Sequence, residues 1–238
     1  TARQAAPLRE SGFYDEAYES AYLNYDPELA SKLLDDMGLK VGPDGYRLRP
    51  DGQPLQICLD VMSSIQTWVD TAEIVASYMK KAKIDTAIKS ETRELFRQRT
   101  QSAAHDIAIW PGDGGLECLL EPRWFFPFSA ESLNAPLYGQ WYQTRGKQGE
   151  QPTEIIKAQM DLFDQIMSSS SEEQKTELFS KIIKANKDNL WVIGLIYQPP
   201  DYYVVANNMK NIPERDYQSW IYPNPGPIHP EQFFFEKE

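Results

Sequence analysis

Residues 55–110 read LQICLDVMSSIQTWVDTAEIVASYMKKAKIDTAIKSETRELFRQRTQSAAHDIAIW, and their changing periodicity decides the fold. Leu55, Ile57, Leu59 and Val61 alternate along the chain, the two-residue period of a strand that buries one face. From about Ile65 the period lengthens, and Trp68, Ala72, Val75, Met79 and Ala82 align as one face of a helix. Ile84 and Ile88 mark a second strand, residues 91–101 a second helix, and residues 105–110 a third strand. The connections are short, so the order is β-α-β-α-β. Strands joined through helices run parallel with right-handed crossovers, which predicts an α/β fold with an open, mainly parallel sheet flanked by helices.

Upstream, Asp26-Pro27-Glu28 combines an N-cap with proline at the first helical position. Leu29, Leu33, Leu34 and Met37 follow at helical spacing, and Gly38 supplies a left-handed stop. Pro43-Asp44-Gly45 and Pro50-Asp51-Gly52 mark two turns. Residues 1–25 are polar and aromatic without sustained period and stand as a leading segment.

Downstream, periodicity vanishes over residues 110–142, which carry Trp110, Trp124, Phe125, Phe126, Phe128, Tyr138, Trp141 and Tyr142. Disordered segments are poor in aromatics, so this stretch reads as a long ordered loop that packs and binds. A helix over 153–167 aligns Ile156, Met160, Phe163 and Met167. The capping box Ser171-Glu172-Glu173-Gln174 opens another helix, which aligns Leu178, Ile182 and Ala185. The runs 190–197 and 201–206 read as strands around Gln198-Pro199-Pro200. Pro213, Pro223, Pro225, Pro227 and Pro230 then forbid regular structure. The expected division is a leading segment over 1–25, an α/β lobe over 26–214 and an extended tail over 215–238. The tail's Phe233-Phe234-Phe235 needs a surface to cover.

The chain of 238 residues has a net charge of −11, with 41% hydrophobic and 25% charged residues. That composition is globular. The acidic balance repels phosphate backbones and anionic membranes, and Lys80-Lys81 is too short a basic block to offset it, so nucleic acid is not an expected partner. No apolar run is long enough to span a membrane, and the N-terminus lacks the apolar core of a signal peptide. Cys58 and Cys118 belong to no CxxC motif, which excludes a cysteine zinc site or a thioredoxin-type motif; whether the two pair is open.

Enzyme chemistry finds no positive support. A hydrolase would have to use His105 with Asp113, but there is no Gly-x-Ser-x-Gly elbow and no flanking cysteine-hydrolase signature. Glu117 and Glu121 read as solvated carboxylates rather than a glycosidase pair. Gly112-Asp113-Gly114-Gly115 lacks the lysine of a phosphate cradle, and two histidines make no HExxH or facial triad. No cofactor or metal is expected.

Binding remains, and the topology says where. In open parallel sheets, ligands settle beyond the carboxyl ends of the strands. Those ends are Met62-Ser63-Ser64, Ser90-Glu91 with Arg93 and Glu94 just beyond, and Trp110-Pro111-Gly112-Asp113. Trp110 offers a flat face and Asp113 an anionic acceptor, while Gly112 and Gly114 let backbone approach a solute. A glycine-aspartate turn beside a core tryptophan fits the same residues. A purely structural interaction domain, with the aromatic loop as core and the tail docked on another protein, is the corresponding third reading.

The segment from Tyr25 to Leu39, followed by Pro50-Asp51-Gly52-Gln53-Pro54-Leu55, resembles the family 5 extracellular solute-binding proteins of bacterial ABC importers. The resemblance continues through the β-α-β unit, residues 105–110, Trp191-Val192-Ile193-Gly194 and Pro225 to Phe234. It implies a periplasmic binding protein-like fold, with this chain matching the distal lobe and the final segment that returns to the first lobe. It also implies a monomeric, periplasmic subunit that closes around a peptide-like solute and delivers it to an importer permease. In peptide-binding members the third strand leads into a Trp-x-x-Asp arrangement whose aspartate holds the peptide amino group, which here falls on Trp110 and Asp113. After Asp113 the family's usual aspartate-proline step is replaced by Gly114-Gly115-Leu116-Glu117 and a longer aromatic loop. Trp124, Trp141 and Tyr142 in that loop keep an oligosaccharide as the alternative solute, and Arg93 and Glu94, at the start of the second helix, can line either cleft.

Overall fold

The computed structural model of the protein describes residues 2–112, 118–196, 202–216, 221, 223 and 225–236. The short helix α1 (Glu16–Glu19) and the helix α2 (Pro27–Asp36) precede the sheet. Asp26 caps α2 by accepting the Leu29 N–H at 2.9 Å, and Gly38 at φ +83° ends it, as the sequence predicts. No residue of α2 is buried. The helix is held instead by Arg47, whose side chain is 1% exposed. Its guanidinium donates to the Asp35 carboxylate, to Ser31 Oγ and to the carbonyls of Ser31, Leu39 and Ala82.

The sheet follows: β1 (Gln56–Met62), α3 (Gln66–Lys81), β2 (Asp85–Glu91), α4 (Arg93–Gln101) and β3 (Ile107–Ala108). Strand order is β2-β1-β3, all parallel, with β1 paired to β2 from Gln56↔Asp85 to Met62↔Glu91. This is the β-α-β-α-β unit expected from the period changes. The two crossovers run in opposite directions across β1, so right-handedness puts α3 and α4 on opposite faces. Leu59 and Val61 are fully buried on one side of β1, and Asp60 is fully buried on the other. The third strand is shorter than the expected 105–110. The Asp106 carboxylate accepts the Cys58 N–H at 2.9 Å, so a side chain takes the place of a ladder carbonyl at that end.

A second core lies among α5 (Pro136–Gln143), α6 (Glu154–Ser168) and α7 (Glu172–Asn189). Phe125 and Phe126 from the aromatic stretch are fully buried in it, beside Phe163, Phe179 and Ile182. The stretch is therefore not without regular structure. A 3-10 turn spans Pro122–Trp124, and α5 begins at Pro136, whose fixed φ suits a first helical position. Residues 1–25 do not stand apart either. Ala6 and Tyr18 belong to this core, the Tyr18 hydroxyl accepts from Asn186 Nδ2 at 2.5 Å, and Asp15 pairs with Lys187 at 2.8 Å, both partners on α7.

The expected strands over 190–197 and 201–206 do not form among the described residues. Residues 190–196 and 202–206 carry no strand, and residues 197–201 lie outside the described residues. α7 runs on to Asn189 and stops on Leu190 in the left-handed region. Beyond it Val204 is 100% exposed, so no ladder partner sits beside it among the described residues. The tail also departs from a plain extended form. β4 (Met209–Lys210) pairs antiparallel with β5 (Phe234–Phe235), and 3-10 turns span Gly226–Ile228 and Pro230–Gln232. Phe234 and Phe235 remain more than half exposed. Cys58 and Cys118 are not joined to each other in a disulfide.

Candidate binding edge at the carboxyl ends of the strands

Parallel strands put the residues that follow them on one edge of the sheet. Ser64, in the β1–α3 turn, and Arg93 and Glu94, in the first turn of α4, are all exposed there. Trp110 follows β3 by two residues and is half-buried. Its ring stacks on Phe96 of α4, with centroids 5.5 Å apart and planes 17° apart. It also meets Trp68 of α3 at 5.5 Å and 57°. Trp110 thus bridges the first turns of the two helices on opposite faces of the sheet.

Gly112 continues the edge. A Cβ placed on it would lie 3.4 Å from the indole of Trp124, so the loop's 3-10 turn brings Trp124 against the backbone just after β3. Asp113 and Gly114 lie outside the described residues, as do Gly115, Leu116 and Glu117. Trp141 is committed elsewhere. It lies on α5 against Gly146 and lines a separate cleft of about 200 Å³ with Tyr142, Arg145, Met160, Asp161 and Asp164. In that cleft Tyr142 donates to Asp164 at 2.6 Å and Arg145 pairs with the same carboxylate at 2.9 Å. Burial and the adjacent carboxylate push the Tyr142 phenol up, so it stays a donor.

Beneath the edge lies a buried charge cluster that the residue pattern does not announce. Asp60 is fully buried on β1 and accepts Arg99 Nε–H at 2.6 Å, and Arg99 also meets Glu91 Oε1 at 3.3 Å. Arg99 further donates to the Ala104 carbonyl. The guanidinium therefore ties α4 to the carboxyl end of β2, the middle of β1 and the turn before β3. Burial first, and the Asp60 charge second, push the neighbouring Cys58 thiol up and keep it protonated. Phe96 and Trp68 are the other residues missed. Their signal was available: an aromatic in the first turn of each helix that follows a strand of a parallel sheet.

His105 lies away from the carboxyl edge. It precedes β3, at the opposite end of that strand from Trp110, and its Nε2 lies 2.9 Å from the Leu133 carbonyl.

Residues 1–117 match the family described as bacterial extracellular solute-binding proteins, family 5 Middle. No curated protein matches the chain. Among solved structures, the chain is 30% identical to an oligopeptide-binding protein OppA, with a TM-score of 0.77 over 99% of this chain and 39% of that one. The periplasmic binding protein MelB from Agrobacterium fabrum, solved with stachyose, shares the fold at 21% identity and a TM-score of 0.65, covering 79% of this chain and 28% of that one. The oligopeptide-binding protein AppA from Bacillus subtilis, solved with a nonapeptide, shares it at 16% identity and a TM-score of 0.63, covering 99% and 42%. The chain thus spans about two-fifths of the length of OppA and AppA. The parallel sheet with flanking helices is the architecture of these periplasmic binding proteins, and the chain belongs to the family 5 bacterial extracellular solute-binding proteins.

Proposed function

We propose that the chain forms one side of the solute cleft in the binding subunit of a bacterial ABC importer, and that its solute is peptide-like. The observation that carries this is the position of Trp110, a half-buried ring clamped at the carboxyl edge, where Ser64, Arg93 and Glu94 are exposed. Open parallel sheets bind ligands at that edge. Asp113, three residues beyond Trp110, is assigned the solute's amino group, because a carboxylate in a closing cleft makes a charge-assisted hydrogen bond to an ammonium. Arg93 and Glu94 offer opposite charges to the solute's other polar ends. Arrival from the periplasm and delivery to a membrane permease belong to the same reading, with closure of a second lobe burying the solute. No bond is made or broken in it.

Titration of the 15N-labelled chain with trialanine tests the assignment, read from the indole N–H signals. One side of a cleft binds weakly, with a Kd of about 1 mM or above. A saturable shift of the Trp110 signal that disappears in Asp113→Ala supports the reading. A shift produced by stachyose and not by trialanine moves the solute to an oligosaccharide.

A further inference from the structure

The peptide reading makes Trp110 a contact for the solute, yet the ring has little freedom to choose its contacts. We propose that Phe96 and Trp68 are positioning residues for Trp110. By covering its ring they make the carboxyl edge accept chains that run past its free margin and refuse rings that would stack on its face. The proposal rests on the solute-capture reading above.

Three features of the structure support it. Phe96 is 2% exposed, and its near-parallel stack occupies one face of Trp110. Trp68 approaches the same ring from the helix on the opposite side of the sheet. The third feature is the anchoring of Phe96 itself. Thr92 caps α4 by accepting the Leu95 N–H, and Arg99, one turn beyond Phe96, is pinned to Asp60 and Glu91. A ring stacked on a residue of one helix and met at a tilt by a residue of another is pre-organised, so little freedom is lost when a solute meets it. Sugar recognition by stacking needs an open aromatic face, and here one face is already filled by Phe96.

The test is a double-mutant cycle on the 238-residue chain, using trialanine as the probe. Phe96→Leu, which keeps an apolar side chain in the core, should weaken trialanine binding about 2- to 12-fold, the value of an aromatic pair. In the Trp110→Leu background the same change should move affinity by less than about twofold. An equal loss in both backgrounds means that Phe96 acts only through the stability of the fold and overturns the proposal. Trp68→Phe, at a half-buried position, gives the same cycle should Phe96→Leu fail to fold. A larger perturbation of the Trp110 indole signal by stachyose than by trialanine would also overturn it. Absence of any trialanine effect on the wild type counts against peptide capture alone. The positioning claim is then judged on the heteronuclear NOE of the Trp110 indole, which falls in Phe96→Leu if the clamp is real and stays unchanged if it is not.

Discussion

Arg47 Nη1 lies 2.8 Å from Asp35 Oδ1, and the two partners are buried very unequally: the guanidinium side chain is 1% exposed and the carboxylate 47%. The pair is therefore an anchoring point more than an ion pair. The buried arginine spends most of its donors on the carbonyls of Ser31, Leu39 and Ala82, while Asp35 can be solvated without it. Arg47→Met removes every one of those bonds but keeps apolar bulk. The three stranded carbonyls should cost at least about 3 kcal/mol together, given roughly 1–3 kcal/mol for each buried group left unmade. Urea unfolding checks the size, and amide exchange should show α2 opening first because no residue of that helix is buried.

Asp60 and Arg99 make the complementary case, in which the carboxylate is the wholly buried partner. Arg99→Met leaves that charge without its counter-ion and should destabilise the chain by about 3–5 kcal/mol. The double variant Arg99→Met with Asp60→Leu should recover a large part of the loss, since two apolar groups can replace a buried pair at little cost. Recovery in chemical denaturation separates a desolvated ion pair from a residue whose packing alone matters. No recovery would assign Arg99 to the second role.

The sheet is legible in residues 55–110 because a period of two gives way to a period near four and back, twice. Tertiary contacts do not disturb that signal. α5 is hidden because Leu137, Trp141 and Tyr142 sit in a stretch so rich in aromatics that no face stands out, and only Pro136 marks its start. The candidate edge is legible as a list of strand ends, and Ser64, Arg93, Glu94, Trp110 and Gly112 all fall there. Trp141 does not, since α5 carries it to the α6 side. What no pattern could show is which side chains meet across elements. An aromatic in a helix's first turn marks Phe96 as a neighbour of the edge, but the separation of Phe96 from Trp110 along the chain carries no periodic signature of their stack, and the same holds for Asn186 with Tyr18.

Glu19 gives stability a dependence on pH. Its carboxylate accepts from Arg9 at 2.9 Å and from the Tyr14 hydroxyl at 2.8 Å, and it lies 3.5 Å from Arg3. These partners, Arg9 first, hold its pKa below the ordinary glutamate value in the folded chain. A depressed carboxylate stabilises the fold fully above the unfolded-state pKa, and this contribution is lost as pH falls through the lower folded value. Unfolding midpoints should therefore drop as pH falls from the ordinary carboxylate range downward, and the drop should shrink in Glu19→Gln. An unchanged pH profile in that variant would remove Glu19 from the account.

Gly194 lies where the segment after α7 crosses the beginning of the chain. A Cβ built there would come within 2.4 Å of Ala5 N, 2.4 Å of the Gln4 carbonyl carbon and 2.5 Å of the Arg3 oxygen, all backbone atoms that cannot turn aside. Its own N–H donates to Gln4 Oε1 at 2.9 Å, and Gln4 Nε2 donates to the Ala21 carbonyl at 2.8 Å, so the crossing is bonded as well as close. Gly194→Ala has to push the two segments apart. The expected cost is about 1–3 kcal/mol, the range for forcing extra volume into a packed site. Because the displaced residues 3–5 adjoin Ala6, which is 1% exposed in the helical core, the strain should spread there while the sheet residues around Leu59 and Val61 keep their protection. Amide exchange on Gly194→Ala resolves the two regions: faster exchange in α6 and α7 with β1 unaltered is the expected outcome, and uniform acceleration would mean that both cores unfold as one unit.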